Sequence, residues 1–114
     1  MRKDIFMDRQ AVLDPKVRKS ATQFLRALQK KGLVISGYYV FGSQINGKAH
    51  KWSDIDIGII SPNFSDDRFE ERIKLMRIGD EIDTAIEPHP FTPEDFEDKY
   101  YSLAQEVKKT GIKI

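Results

Sequence analysis

Apolar and polar positions follow one another along this chain in a pattern that predicts helix, strand, strand, helix, strand and helix. Residues 14–31 repeat apolar side chains at helical spacing, with Asp14 placed to cap the helix and Pro15 in its first position. Residues 33–41 and 55–60 are rich in aromatic and β-branched side chains and predict two strands. The second strand is apolar from residue 57 onward, so we expect burial on both faces.

The second half of the chain predicts another helix and a third strand. Ser65 or Asp67 can cap the helix, which carries apolar side chains along one side. Residues 82–86 are predicted as the third strand. Pro88 and Pro90 end it in this interpretation, because proline cannot donate a hydrogen bond to a sheet ladder.

The last segment has helical spacing from Thr92 to Gly111, with a break near residues 101–102 and a short apolar tail that can add an edge strand. The order α-β-β-α-β-α predicts an α/β (α+β) fold, in which helices pack on a mixed β-sheet. We expect a single domain over residues 1–114, with its core at about 14–110.

The composition excludes some kinds of site and indicates possible binding partners. The chain has 114 residues and no cysteine, which excludes disulfides and cysteine-ligated zinc. It shows no run of signal-peptide or membrane-span length, and we expect a cytoplasmic protein. Residues 1–53 hold 11 Lys and Arg against 3 Asp and Glu, whereas the remainder holds 8 against 15. The basic half suits phosphate, RNA or an acidic partner, or is a solvated helix face.

The stretch between the first two strands carries the candidate chemistry. Gly42 and Ser43 close the first strand, a polar loop containing Gly47 follows, and Asp54 and Asp56 open the second. If these strands pair antiparallel, the Gly-Ser bend lies beside the two aspartates. Residues two apart in a strand share a face, so the two carboxylates are expected about 6.6 Å apart.

A third carboxylate is expected from the following strand. Strand, helix and strand form a right-handed crossover that places the two strands parallel, so both begin at the same end of the sheet. Glu87 shares the face of Asp83 but lies four residues further on, about 13 Å along the extended chain. Asp83 is therefore the predicted third acid.

Three clustered carboxylates repel one another unless a cation joins them, and oxygen ligands favour Mg²⁺, with Mn²⁺ as an alternative. Small residues at Gly42 and Gly47 allow backbone amides to approach phosphate, and the Ser43 hydroxyl can donate as well. Lys48 and Lys51 can neutralise a triphosphate. With two ions, the site suits in-line nucleotidyl transfer with release of pyrophosphate.

Simpler interpretations remain open for several of these residues. The two glycines can be ordinary turn residues, and the two lysines can be surface residues. Asp83 can instead be a surface residue or pair with a lysine or arginine. Ser53 either braces the turn before Asp54 or contacts the substrate. His50 and His89 are interpreted as structural or solvent-facing residues.

The combined motif resembles that of a known family. Gly42-Ser43, ten intervening residues and Asp54-Ile55-Asp56 resemble the signature of the DNA polymerase beta-like nucleotidyltransferase superfamily. Residues 82–88 resemble its third-acid strand. The short length is similar to that of minimal nucleotidyltransferases. Relatives often carry arginine after the Gly-Ser pair, where this chain has Gln44 and Asn46.

The resemblance implies that the Gly-Ser pair holds the triphosphate of ATP and that the three acids bind two Mg²⁺ ions. It also implies a small helical partner of the HEPN class and an antitoxin role, with AMP transferred to a tyrosine of that toxin. Two alternatives stay open: a binding module that neutralises its partner by complex formation, and a small-molecule nucleotidyltransferase. We expect a complex or a homo-oligomer, no membrane association and no templated nucleic acid synthesis.

Overall fold

A computed structural model describes residues 13–45, 49 and 53–114, and shows helices and a four-stranded sheet. The helices are α1 (Pro15–Lys30), α2 (Arg68–Asp80), α3 (Pro93–Glu97) and α4 (Ser102–Thr110). The strands are β1 (Gly37–Phe41), β2 (Ile55–Ile60), β3 (Ile86–Phe91) and β4 (Ile112–Lys113). A short 3₁₀ turn, Gly42–Gln44, follows β1.

The sheet is mixed, as the sequence predicted, with strand order β3-β2-β1-β4. β1 pairs antiparallel with β2 and with β4, whereas β2 and β3 run parallel. The apolar tail after Gly111 does add the edge strand β4, which pairs with Tyr39 and Val40. The first-strand pairing therefore confirms that the end of β1 lies beside the start of β2.

The core has one apolar cluster on each face of the sheet. On one face, Ile57 and Ile59 pack with Phe24 and Leu28 of α1 and with Leu75 of α2. On the other face, the cluster joins side chains of β1, β2 and β3 to α3 and α4: Phe41, Ile60, Phe91, Phe96, Ala104 and Val107. β2 is thus covered on both faces, as its continuous apolar run predicted.

Local capping explains where the helices begin. The Asp14 side chain accepts a hydrogen bond from the Lys16 backbone N–H at 2.8 Å, at the predicted start of α1. Asp67 caps α2 by accepting from the Glu70 N–H at 3.0 Å. Thr92 and Asp95 form a reciprocal capping box at the start of α3. The predicted break in the last helix is real, because α3 ends at Glu97 and α4 begins at Ser102.

The third strand lies further along the chain than predicted. It spans Ile86–Phe91 and runs through both prolines. Two flanking hydrogen bonds, from Ile55 N to Ala85 O and from Ser61 N to Phe91 O, show that its odd-numbered residues face β2. The nitrogens of Pro88 and Pro90 therefore point away from the ladder, and β3 is an edge strand, so the missing donors cost nothing.

None of the helices in the described part of the chain has the length and apolar character that crossing a bilayer requires.

Candidate functional site

The Gly42 turn closes directly onto the carboxylate of Asp56. Phe41 is the register partner of Asp56, which brings the residue after Phe41 against that side chain. Gly42 has φ of 80°, in the left-handed region that glycine adopts without strain. A Cβ added here would overlap Asp56 Oδ2 and would stand 3.3 Å from Asp56 Cγ. The position therefore requires glycine both for its backbone conformation and for the space beside the carboxylate.

Glu87, rather than Asp83, lies beside Asp56. The two residues are register partners on parallel strands, which places their Cα atoms about 4.8 Å apart with side chains on one face. That face is the one that carries Phe41, Ile60 and the helices α3 and α4. Asp54 immediately precedes β2 and is exposed, and strand alternation assigns it to this face as well.

Asp83 lies outside β3, and its carboxylate is already engaged. Its Oδ2 accepts from Ser20 Oγ of α1 at 2.9 Å, and its Oδ1 accepts from Ala85 N at 2.9 Å. Because α1 packs on the opposite face of the sheet, this carboxylate turns away from Asp56. The structure does not bring Asp83 to the aspartate pair. The sequence placed Asp83 beside Asp56 because it predicted a strand at 82–86. The strand spans Ile86–Phe91 instead, so Glu87 is the residue in register with Asp56.

Two basic side chains contact the carboxylates at this edge. His89 Nε2 lies 3.1 Å from Asp56 Oδ1, and Arg72 Nη2 of α2 lies 3.0 Å from Glu87 Oε1. Arg72 Nε is buried and lacks a hydrogen-bond partner among the described residues. The sequence predicts His89 as a structural or solvent-facing residue, and it gives Arg72 no role. Alternation from Glu87 indicates the face of His89, but no sequence signal identifies Arg72.

The phosphate-binding half of the site is described in part. Ser43 follows Gly42 in the 3₁₀ turn, and Ser53 lies half-buried just before Asp54. Gln44 Nε2 donates to the Asp54 backbone carbonyl at 3.1 Å, so this side chain ties the turn to the start of β2. The predictions for Gly47, Lys48 and Lys51 concern positions outside the described residues. Asn46 and His50 lie outside them as well.

These oxygen donors suit a hard divalent cation whose coordination sphere is completed by substrate oxygens. Asp56 and Glu87 supply carboxylate oxygens on adjacent strands, and the Gly42 turn lies against Asp56 Oδ2 without a side chain between them. Among the residues that the structure describes, no three acidic or imidazole groups form a ready-made metal cluster. Magnesium typically takes one or two carboxylates together with phosphate oxygens, so the residues fit an ion that arrives with a nucleotide.

The class of protein follows from this fold and from a family comparison. The family model described as "Nucleotidyltransferase domain" matches residues 21–113. The chain belongs to this family, and it is a minimal nucleotidyltransferase enzyme, as the sequence motif predicted.

A named relative supports the assignment. The chain is 34% identical over 77 residues to the probable protein adenylyltransferase MntA of Haemophilus influenzae, covering 63% of this chain and 68% of that protein.

Two solved structures share the fold. One is a toxin–antitoxin with AMP-PNP, which has a TM-score of 0.58 and 23% identity, covering 82% of this chain and 70% of that chain. The other is a tri-AMPylated HEPN toxin of Shewanella oneidensis in complex with an MNT antitoxin. It has a TM-score of 0.51 and 19% identity, covering 85% of this chain and 70% of that chain. At these identities the two structures show the fold alone.

Proposed function

We propose that the chain is a magnesium-dependent adenylyltransferase that transfers AMP from ATP to a tyrosine hydroxyl of a HEPN-type partner and so acts as an antitoxin. The observation that carries this proposal is the arrangement of Gly42 against Asp56, with Glu87 in register beside it. The name of the Haemophilus relative supports the transferred group, and the two solved complexes support the kind of partner.

In this proposal Asp54, Asp56 and Glu87 hold divalent cations together with the triphosphate. Bound Mg²⁺ neutralises the phosphates and lowers the pKa of the acceptor hydroxyl. The backbone of the Gly42 turn, which lies against Asp56, would approach the phosphate oxygens, and Ser43 would donate a hydrogen bond to them. The acceptor hydroxyl releases its proton to solvent and its oxygen forms a bond to the α-phosphorus, while the bond from that phosphorus to the α–β bridging oxygen breaks and pyrophosphate leaves. Positioning and charge neutralisation supply most of the acceleration.

The roles of Lys48, Lys51 and Gly47 at the triphosphate, and of Ser53 beside Asp54, stay predictions. Glu87 replaces Asp83 as our third acid, because its register places it beside Asp56. The acceptor surface is expected from the partner or from a second copy of the chain. Gel filtration of the protein alone and with its partner tests this expectation.

Labelling tests the activity. The protein is incubated with Mg²⁺, ATP labelled at the α-phosphate and the product of the adjacent gene. The wild type is expected to label that partner, and the Asp56→Asn variant is not. Asp80→Asn is the matched control, since Asp80 is an exposed acid at the C-terminus of α2, which packs on the face of the sheet opposite Asp56. Equal labelling by all three proteins contradicts the proposal, and loss of label after tyrosine-to-phenylalanine substitution in the partner identifies the acceptor.

One observation favours a second function, neutralisation by binding alone. Gln44 stands where relatives often carry arginine, and its side chain is used within the turn rather than directed towards a ligand. Neutralisation of the partner in cells separates the two functions. If the Asp56→Asn variant protects as well as the wild type does, binding suffices; if protection is lost while complex formation persists, catalysis is required.

A further inference from the structure

His89 is held between Asp56 and Phe41, next to the candidate site. It occupies β3, two residues after Glu87, and pairs in register with Gly58 of β2. Its ring meets Phe41 edge-on, with centroids 5.2 Å apart and planes at 60°. The His89 side chain is 18% exposed. Strand backbone on one side and the Phe41 ring on the other therefore leave the imidazole little freedom.

The contact between His89 and Asp56 has one chemical interpretation when the carboxylate is ionised. A carboxylate only accepts hydrogen bonds, so His89 Nε2 carries the hydrogen and donates it to Asp56 Oδ1. The other oxygen, Oδ2, lies against Gly42, close to the position that a Cβ would take there. The two contacts together define the direction of the carboxylate plane.

We propose that His89 is a positioning residue that holds Asp56 in the orientation in which it receives a divalent cation. The inference rests on the proposed function, because it assigns Asp56 as a metal ligand. A side chain held by a neighbour before the ligand arrives loses less conformational freedom on binding. Hydrogen-bond partners of metal ligands commonly change metal affinity by about 10- to 100-fold when they are removed.

The hydrogen bond does not compete with the ion. Each carboxylate oxygen has two acceptor sites, so Asp56 Oδ1 keeps one of its two after accepting from His89. His89 therefore orients the ligand without occupying it. Arg72 differs in this respect, because it places a full positive charge 3.0 Å from Glu87.

The test measures binding of Mn²⁺ in the presence of AMP-PNP by electron paramagnetic resonance, which requires no acceptor and no turnover. His89→Phe keeps an aromatic ring against Phe41 but removes the donor, and should weaken Mn²⁺ binding by about tenfold. His89→Gln carries an amide nitrogen near the position of Nε2 and should restore affinity close to the wild-type value. If His89→Phe does not fold, as judged by thermal melting without metal, His89→Leu compared with His89→Gln answers the same question.

The Asp56→Asn variant separates failure of this inference from failure of the proposed function. If Asp56→Asn weakens Mn²⁺ binding but His89→Phe matches the wild type, the positioning role is wrong and the proposed site stands. Tighter binding by His89→Phe also overturns it, because His89 would then be a competitor. If Asp56→Asn binds as the wild type does, both proposals fail. In the Asp56→Asn background, His89→Phe should have no further effect, and an undiminished second loss contradicts the inference.

Discussion

Substitution of Gly42 by alanine tests the geometry on which the candidate site depends. The residue has φ of 80°, and a Cβ at this position would overlap Asp56 Oδ2. Two separate effects follow. The backbone is strained because an L side chain disfavours the left-handed region, and the carboxylate of Asp56 must move to make room.

The two effects have different sizes and different consequences. The backbone strain costs about 1–2 kcal/mol of stability. Asp56 is 28% exposed and the overlapped atom is the end of its side chain, so the overlap adds little to this cost, but it displaces the carboxylate by several tenths of an ångström and strains its contact with His89. A displacement on this scale, approaching 1 Å, reduces catalysis by up to about 100-fold, or about 2.7 kcal/mol of transition-state stabilisation.

Gly32→Ala supplies the matched control. Gly32 follows α1 with φ of 93°, and a Cβ there meets nothing within 4 Å. Urea unfolding should show similar losses of stability for the two variants, because both strain the backbone. Only Gly42→Ala should lose Mn²⁺ and AMP-PNP binding and adenylyl transfer. If Gly42→Ala retains wild-type nucleotide binding and transfer, the close approach of the turn to Asp56 has no role in the site, and this reasoning is refuted.

Three further predictions address the third acid, a capping ion pair and a buried hydroxyl. Glu87→Gln should reduce adenylyl transfer by more than about 100-fold. Asp83→Asn should keep the transfer activity and cost about 1 kcal/mol of stability in urea unfolding, since it removes one hydrogen-bond acceptor. If Asp83→Asn loses more activity than Glu87→Gln, Asp83 is the metal ligand. The hydrogen bond from Arg68 holds the pKa of Asp95 below its usual range. The ionised Asp95 therefore adds to the free energy of unfolding above the unfolded-state pKa of about 3.9, and this addition is lost as pH falls through the lower folded-state pKa. The stability gap between the wild type and Asp95→Asn should therefore close below about pH 4 in urea titrations, and a gap independent of pH contradicts this linkage. Tyr38→Phe should cost about 1 kcal/mol in the same assay, because the Tyr38 hydroxyl donates at 2.7 Å to a buried backbone carbonyl of α1, and an unchanged midpoint argues against that bond.

The elements that the sequence predicted well are those with strong local signals. α1 begins after Asp14, where a capping side chain and a proline coincide, and the left-handed Gly32 follows its end. β2 matches the predicted residues 55–60, because a buried central strand produces an uninterrupted apolar run. These signals depend on a few neighbouring residues, so no knowledge of the remaining fold is needed to interpret them.

β3 lacked such a signal, and for this reason Asp83 was wrongly expected beside the aspartate pair. A proline ends a central strand, but it can lie within an edge strand when its nitrogen points away from the ladder. Which strand lies at the edge depends on the strand order, a tertiary property. The Asp83–Ser20 hydrogen bond joins residues 63 positions apart, so a local pattern could not reveal that this carboxylate was engaged.

The two prolines nevertheless indicate where the third acid belongs. Residues four apart in a strand point to the same face. Alternation therefore could not decide between Asp83 and Glu87, and only the pairing register could. Pro88 and Pro90 can lie within a strand only if their nitrogens point away from the ladder, and this requirement assigns residues 87 and 89 to the hydrogen-bonded positions. Both proline side chains are buried on the face that α1 and α2 cover. Alternation then turns Glu87 and His89 to the opposite face, towards Asp56. An edge strand with prolines at alternate positions thus identifies the residues that face the site, once the strand is known to continue through them.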